Sequence, residues 1–205
     1  MADTSFAVSA GSGTNLHTVT TSIGGSTVHD QVVKHGDAHL ATYTFSALSV
    51  STATGNSHIL QIMAGSTLNV YLRRLQIYQS NPATTATIVI WDLLRLTTAG
   101  TGGGAVTANP FDTTDAAAGA TGMTLSTVQG TEGARLHRFS SQVIQTIGAS
   151  GTGSNPIMVE YTWDGLRTKA PRIAAGTSNG LVIKNVGAVA AATVHVVATI
   201  VEANH

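Results

Sequence analysis

Cysteine is absent from the 205 residues, so disulfide stapling, Cys-based zinc sites and thiol catalysis are all excluded. Charge is scarce as well: Asp, Glu, Lys and Arg make up 10% of the chain, against roughly 25% in ordinary soluble domains. Ten basic residues balance ten acidic ones, which leaves no global field to gather phosphate backbones or an anionic membrane surface. Nonspecific nucleic-acid binding is therefore disfavoured. No run of roughly eighteen apolar residues occurs, so no membrane-spanning helix is expected. The first twenty residues have neither a basic start nor an unbroken apolar stretch and do not read as a secretion signal, so synthesis in a cytoplasm is expected.

What remains is a chain written in short β segments: Thr-, Val-, Ile- and Ala-rich runs with two-residue alternation, separated by Gly, Ser, Asn and Pro. The hydrophobic share, 42%, is ordinary, and Thr, Ser, Asn and Gly supply the polarity that charge does not. Such a surface dehydrates at lower cost than one of Lys and Glu, because no full charge loses its water. It suits burial between protein copies. The length fits one all-β sandwich or barrel with residues left over for an arm or a long loop.

Residues 1 to 38 are rich in Ser, Thr and Gly with a thin scatter of apolar side chains such as Phe6, Leu16, Val19, Ile23 and Val28. Alone they cannot bury enough to offset the entropy of ordering them, and they read as an extended N-terminal arm that orders on a neighbour. The body, residues 39 to 205, begins with a clear half-buried strand in which Tyr43, Phe45 and Ala47 share one face. Residues 57 to 63 form the next. In residues 69 to 79 the apolar face changes sides between Leu72 and Leu75, which predicts a β-bulge near Arg73-Arg74. Residues 85 to 96 give the strongest run, with Ile88 and Ile90 on one side and Val89, Trp91 and Leu93 on the other. That predicts a central strand covered on both faces.

Residues 97 to 122 break the rhythm with six glycines and Pro110, and predict a long loop projecting from one end of the sandwich, tied down through Phe111. Residues 134 to 147 fit helix and strand periods alike, and the β-branched ending favours strand. Strands at residues 157 to 163, 181 to 185 and 193 to 202 complete eight or nine, right for two packed sheets.

No motif carries catalytic chemistry in a fitting context. Gly176-Thr177-Ser178-Asn179-Gly180 has G-x-S-x-G spacing, but the nucleophile reading needs a helix after the Ser, and Leu181-Val182-Ile183-Lys184 reads as a strand. His29, His35 and His39, with Asp30 and Asp37 among them, carry ligand types that suit zinc, yet Gly36 argues against the helix that would align His35 with His39. No catalytic, cofactor or metal residue is assigned. The arginines are scattered rather than striped, which points to solvated or subunit-bridging roles, with Glu160 a partner for one of them across a subunit boundary. Tyr78, Trp91 and Trp163 are candidate stacking platforms for a carbohydrate, although their places within strands favour core packing.

The order of features resembles a known class. An arm bearing Val28-His29-Asp30-Gln31-Val32-Val33 precedes His58-Ile59-Leu60-Gln61-Ile62-Met63 and Asn69-Val70-Tyr71-Leu72-Arg73-Arg74-Leu75, and the chain closes with the strands at residues 179 to 185 and 193 to 202. This strand style and order resembles the jelly-roll structural proteins of tailed-phage virions, in particular head decoration or cement proteins and related tail and fibre modules. The resemblance implies a jelly-roll-like β-sandwich and a non-enzymatic building block. It also implies a homotrimer held on the major capsid protein or another virion lattice protein, located in the virion after synthesis in the host cytoplasm, with no cofactor. The rival expectation is a carbohydrate- or receptor-binding tail or fibre module.

Overall fold

The computed structural model describes residues 18–23, 26–31, 40–81, 87–143, 157–163, 168–189 and 192–204. The chain divides into two compact units, Met1–His39 and Leu40–His205. In the first, β1 (Thr18–Ile23) pairs antiparallel with β2 (Ser26–Gln31), so this part of the expected extended arm is a hairpin. Thr- and Val-rich strands flanking Gly24-Gly25 are themselves a hairpin signal.

The second unit is an all-β sandwich. Its strands are β3 (Thr42–Ser51), β4 (Ser57–Met63), β5 (Asn69–Asn81), β6 (Thr87–Leu96), β7 (Gly104–Val106), β8 (Ala108–Pro110), β9 (Thr121–Thr124), β10 (Glu132–Val143), β11 (Ile157–Thr162), β12 (Arg172–Ile173), β13 (Gly180–Asn185) and β14 (Thr193–Ala203). One six-stranded sheet runs β10-β6-β13-β4-β9-β7; the other runs β11-β5-β14-β3-β8, with β12 also on β5. Among the described residues twelve strands thus stand where eight or nine were expected, and the surplus is short. Every pairing is antiparallel, and the long strands pair from the outside in: β3 with β14, β4 with β13, β5 with β11, β6 with β10.

Alternation dictates the core. Tyr43, Phe45 and Ala47 from β3, Leu75 and Ile77 from β5 and Val194, Val196, Ala198 and Ile200 from β14 meet Trp91, Leu93, Leu181 and Ile183 of the other sheet in one buried cluster. The Trp91 indole N–H donates to Ser141 Oγ at 2.8 Å, so its single polar atom is satisfied inside the core. The predicted bulge is present. Between Thr199 and Ile200 the partner on β5 jumps from Arg74 to Leu72, which leaves Arg73 unopposed and carries the apolar side across the sheet. Of the ambiguous residues 134 to 147, those to 143 are strand, within β10, and 144 to 147 lie outside the described residues.

Residues 97 to 122 do not project as a structureless loop. They lay β8 on β3, β9 on β4 and β7 on β9, closing one side of the sandwich across both sheets. Gly122 permits this: a Cβ there would come within 2.6 Å of the Phe45 ring. Phe111 is 68% exposed, so it does not anchor the segment in the core. The anchors are polar. Tyr43 donates its hydroxyl to the Ala116 carbonyl at 2.7 Å, and the buried Glu202 carboxylate accepts from the amides of Gly119 and Ala120 at 3.1 and 2.7 Å. Gln61 exchanges two hydrogen bonds with the backbone of Gly100 across the outer face of β4. Cover of that face ends there. Leu94 and Leu96 are buried with Met63 and Val182, whereas Ile88 and Ile90 are 67% and 38% exposed, so β6 is covered on both faces only in its second half.

Asn185, at the end of β13, saturates its amide inside the protein. Oδ1 accepts from Ser57 N, and Nδ2 donates to the carbonyls of Thr52, Thr54 and Gly187. Asn185→Ala strands these buried groups and is expected to destabilise the chain by about 1–3 kcal/mol, read by urea denaturation with an unchanged m-value. Trp91→Ala empties the centre of the core, and a loss of about 3–5 kcal/mol is expected in the same assay.

Candidate functional site

On the side of the sandwich opposite the sealed one, no described strand lies beyond the sheet edges. There the edge strand β10 of one sheet lies near the edge strand β11 of the other, and residues 132 to 138 of β10 are all exposed. Between these edges is a cleft of about 820 Å³, lined by Leu93 and Arg95 of β6, Leu136 and His137 of β10, Tyr161 of β11, Trp163, and the segment from Lys169 to Ala174. This volume falls among those of small-ligand sites, roughly 300–1,000 Å³.

Local structure holds each wall. Tyr161 and Trp163 sit two apart, so strand alternation puts both on the same side, and both pack on the core cluster. Their rings stack at 5.9 Å with planes 22° apart, and the Trp163 amide donates to the Arg73 carbonyl at 2.7 Å. His137 meets Tyr161 edge-on at 4.9 Å and shares a 3.0 Å hydrogen bond between Nε2 and the phenol oxygen. Across the cleft, β12 pairs with Val70 and Tyr71, and the Leu72 amide donates to the Pro171 carbonyl at 3.0 Å. Arg95 Nη1 donates to the Arg172 carbonyl at 2.6 Å and Arg172 Nη2 to Asn69 Oδ1 at 2.9 Å. Among the described residues no carboxylate lines the cleft or pairs with Arg95, Lys169 or Arg172. Among the described residues, three cations thus surround an aromatic wall with no acidic partner.

The neighbouring polar row is built differently. Arg138, Asp92, Lys184 and His58 stand in register across β10, β6, β13 and β4. Asp92 takes a two-pronged bond from Arg138, with both contacts at 2.7 Å, and a third contact from Arg135 at 3.2 Å. Glu132 Oε1 accepts from Lys184 Nζ at 2.7 Å and meets His58 Nε2 at 3.0 Å. The Arg138 bond holds the Asp92 carboxyl below the usual carboxylate range, overcoming the opposite push of burial. Burial pushes Glu132 up, and the bonds from Lys184 and His58 outweigh it, so it too lies low. Every charge in this row is spent on another, which makes it a sheet clamp rather than a reactive centre.

Depressed carboxylates stabilise the fold above their unfolded pKa, about 4, and that contribution is lost as pH falls through the lower folded value. Asp92→Asn is therefore expected to destabilise at pH 7, with the deficit against the native chain shrinking as pH is lowered below about 4. Urea midpoints across that range check it.

Of the residues singled out from the sequence, Trp91 is core and Tyr78 is half-buried on β5, while Trp163 reaches the cleft. His29 lies in β2 opposite Thr20, and His35 and His39 fall outside the described residues. Among the described residues no three His, Asp or Glu side chains gather as a metal site. Gly180 opens β13, so the Ser178 turn runs into a strand rather than a helix. Glu160 bonds Arg74 of its own chain at 2.6 Å. Sequence reasoning missed Arg95, Lys169, Arg172 and His137 as a group, because three separate segments carry them. Only the Tyr161-x-Trp163 alternation was a readable signal.

Comparison with protein-family models, curated proteins and solved structures finds no match to the chain.

Proposed function

We propose that this chain is a non-enzymatic virion structural protein of a tailed phage, a decoration or cement subunit with a jelly-roll body. The observation that carries the reading is the strand order. The eight long strands pair first with last, second with seventh, third with sixth and fourth with fifth, as in one long hairpin rolled up on itself. Rolling sets β14 beside β5 and β13 beside β6, giving β3-β14-β5-β11 over β4-β13-β6-β10, the arrangement that double Greek-key jelly rolls share. A fold of this kind hosts many functions, so the assignment to a lattice rests also on the surface. Charge is sparse, and Leu48, Ile88, Phe111 and Val128 are each at least 65% exposed. Such side chains gain by burial against a neighbour, about 25 cal/mol for each Å² of apolar surface removed from water. Symmetric closure then multiplies weak contacts, because each later engagement is intramolecular.

A second reading, a carbohydrate- or receptor-binding tail or fibre module, is favoured by one observation: the aromatic and cationic cleft on the open side.

Light scattering over a range of concentrations tests the first reading, with a constant mass of three 20.9 kDa chains expected. Removing residues 1 to 35 leaves every residue of the core cluster in place. The truncated chain is expected to fold but to lose its trimer or its hold on capsids; a strict monomer of the full chain, or unchanged capsid binding after truncation, overturns the reading.

A further inference from the structure

We infer that the cleft between β10 and β11 binds a short acidic saccharide, one whose pyranose rings carry carboxylates. This rests on the ligand-binding reading and is independent of trimer or lattice. The cleft offers two things side by side. One wall is aromatic and anchored, since Tyr161 and Trp163 pack on the core from behind and open to the cleft in front. A sugar ring presents an apolar face of C–H groups to the Trp163 side of this wall, where Tyr161 backs the indole. The other wall is cationic: the guanidinium groups of Arg95 and Arg172 each spend one described hydrogen bond on a neutral acceptor, and Lys169 is exposed with none described.

Guanidinium forks bind carboxylates through paired, charge-assisted bonds, and ring hydroxyls take bonds from His137 and from the remaining donors. With no described carboxylate in the cleft, an anion is the charge that belongs there, and a neutral sugar leaves three cations uncompensated. The ligand is also bounded from above. A nucleic-acid strand needs a basic groove that follows its backbone and aromatic faces open for successive bases. Here the cations belong to one short cleft rather than a groove that tracks a backbone, and the net charge of the chain is zero.

The test is isothermal titration calorimetry of the full-length chain with trigalacturonic acid, with its methyl ester, which keeps the rings and removes the charge, and with a thymidine hexanucleotide. The acid is expected to bind with one site, the ester about tenfold more weakly or less, and the hexanucleotide not at all. Lys169→Glu alters an exposed residue with no described partner, and it is expected to weaken the acid by about tenfold or more while leaving thermal stability unchanged. Trp163→Leu is expected to abolish both binding and the ligand-induced change in tryptophan fluorescence. Equal binding of acid and ester overturns the acidic-ligand inference while the ligand-binding reading survives. Failure of both at millimolar concentration overturns the two together. Tighter binding of the hexanucleotide, or an unaffected Lys169→Glu, overturns the saccharide assignment.

Discussion

The whole body depends on one strand being in place. β14 lies between β3 and β5, and it supplies Val194, Val196, Ala198 and Ile200 to the core. Without it the first long strand has only the three-residue β8 beside it, and the inner faces of two sheets lose the row that joins them. The same strand places Glu202, whose carboxylate holds the amides of Gly119 and Ala120 and with them the segment that seals one side. Because β14 ends the chain and β3 begins the body, this pairing closes the longest loop available. Its entropy cost grows only slowly with length, but the search it demands makes such topologies slow to fold.

From that constraint follows an asymmetry. On the β3 and β4 side, residues 97 to 124 add short strands to both sheets and cover the edges. On the β10 and β11 side no described strand covers the edges. Exposed edges are a hazard, and here Arg135, His137 and Arg138 on β10 blunt pairing with a stray chain. The cost of leaving this side open is met by the Arg138–Asp92 and Lys184–Glu132 bonds, which clamp β10 to its sheet without needing a neighbour outside it. What the opening provides is a cleft whose walls come from both sheets.

Much of the fold was legible before the structure. The β-bulge at Arg73 followed from Leu72 and Leu75 lying on opposite sides of one strand, and the strand nature of residues 134 to 143 followed from β-branched residues. The short strands at 104 to 106, 108 to 110 and 121 to 124 were not legible. Runs of three or four residues rich in Gly and Thr have no period to read; they are strands only because Phe45 and Gln61 give them something to lie on. The exposure of Ile88 and Ile90 was misread for the same reason, since alternation says which side a residue takes and not how far a covering segment reaches.

Two-residue alternation, the scarcity of charge and the absence of cysteine by themselves determined an all-β body held by apolar burial, because strand period and side-chain chemistry are local properties. Tertiary structure alone decided which side of the sandwich is sealed and which cations share a cleft with Tyr161 and Trp163. Arg95 lies 74 residues before Lys169 in the chain, and only the rolling of one strand pair over another brings such groups together.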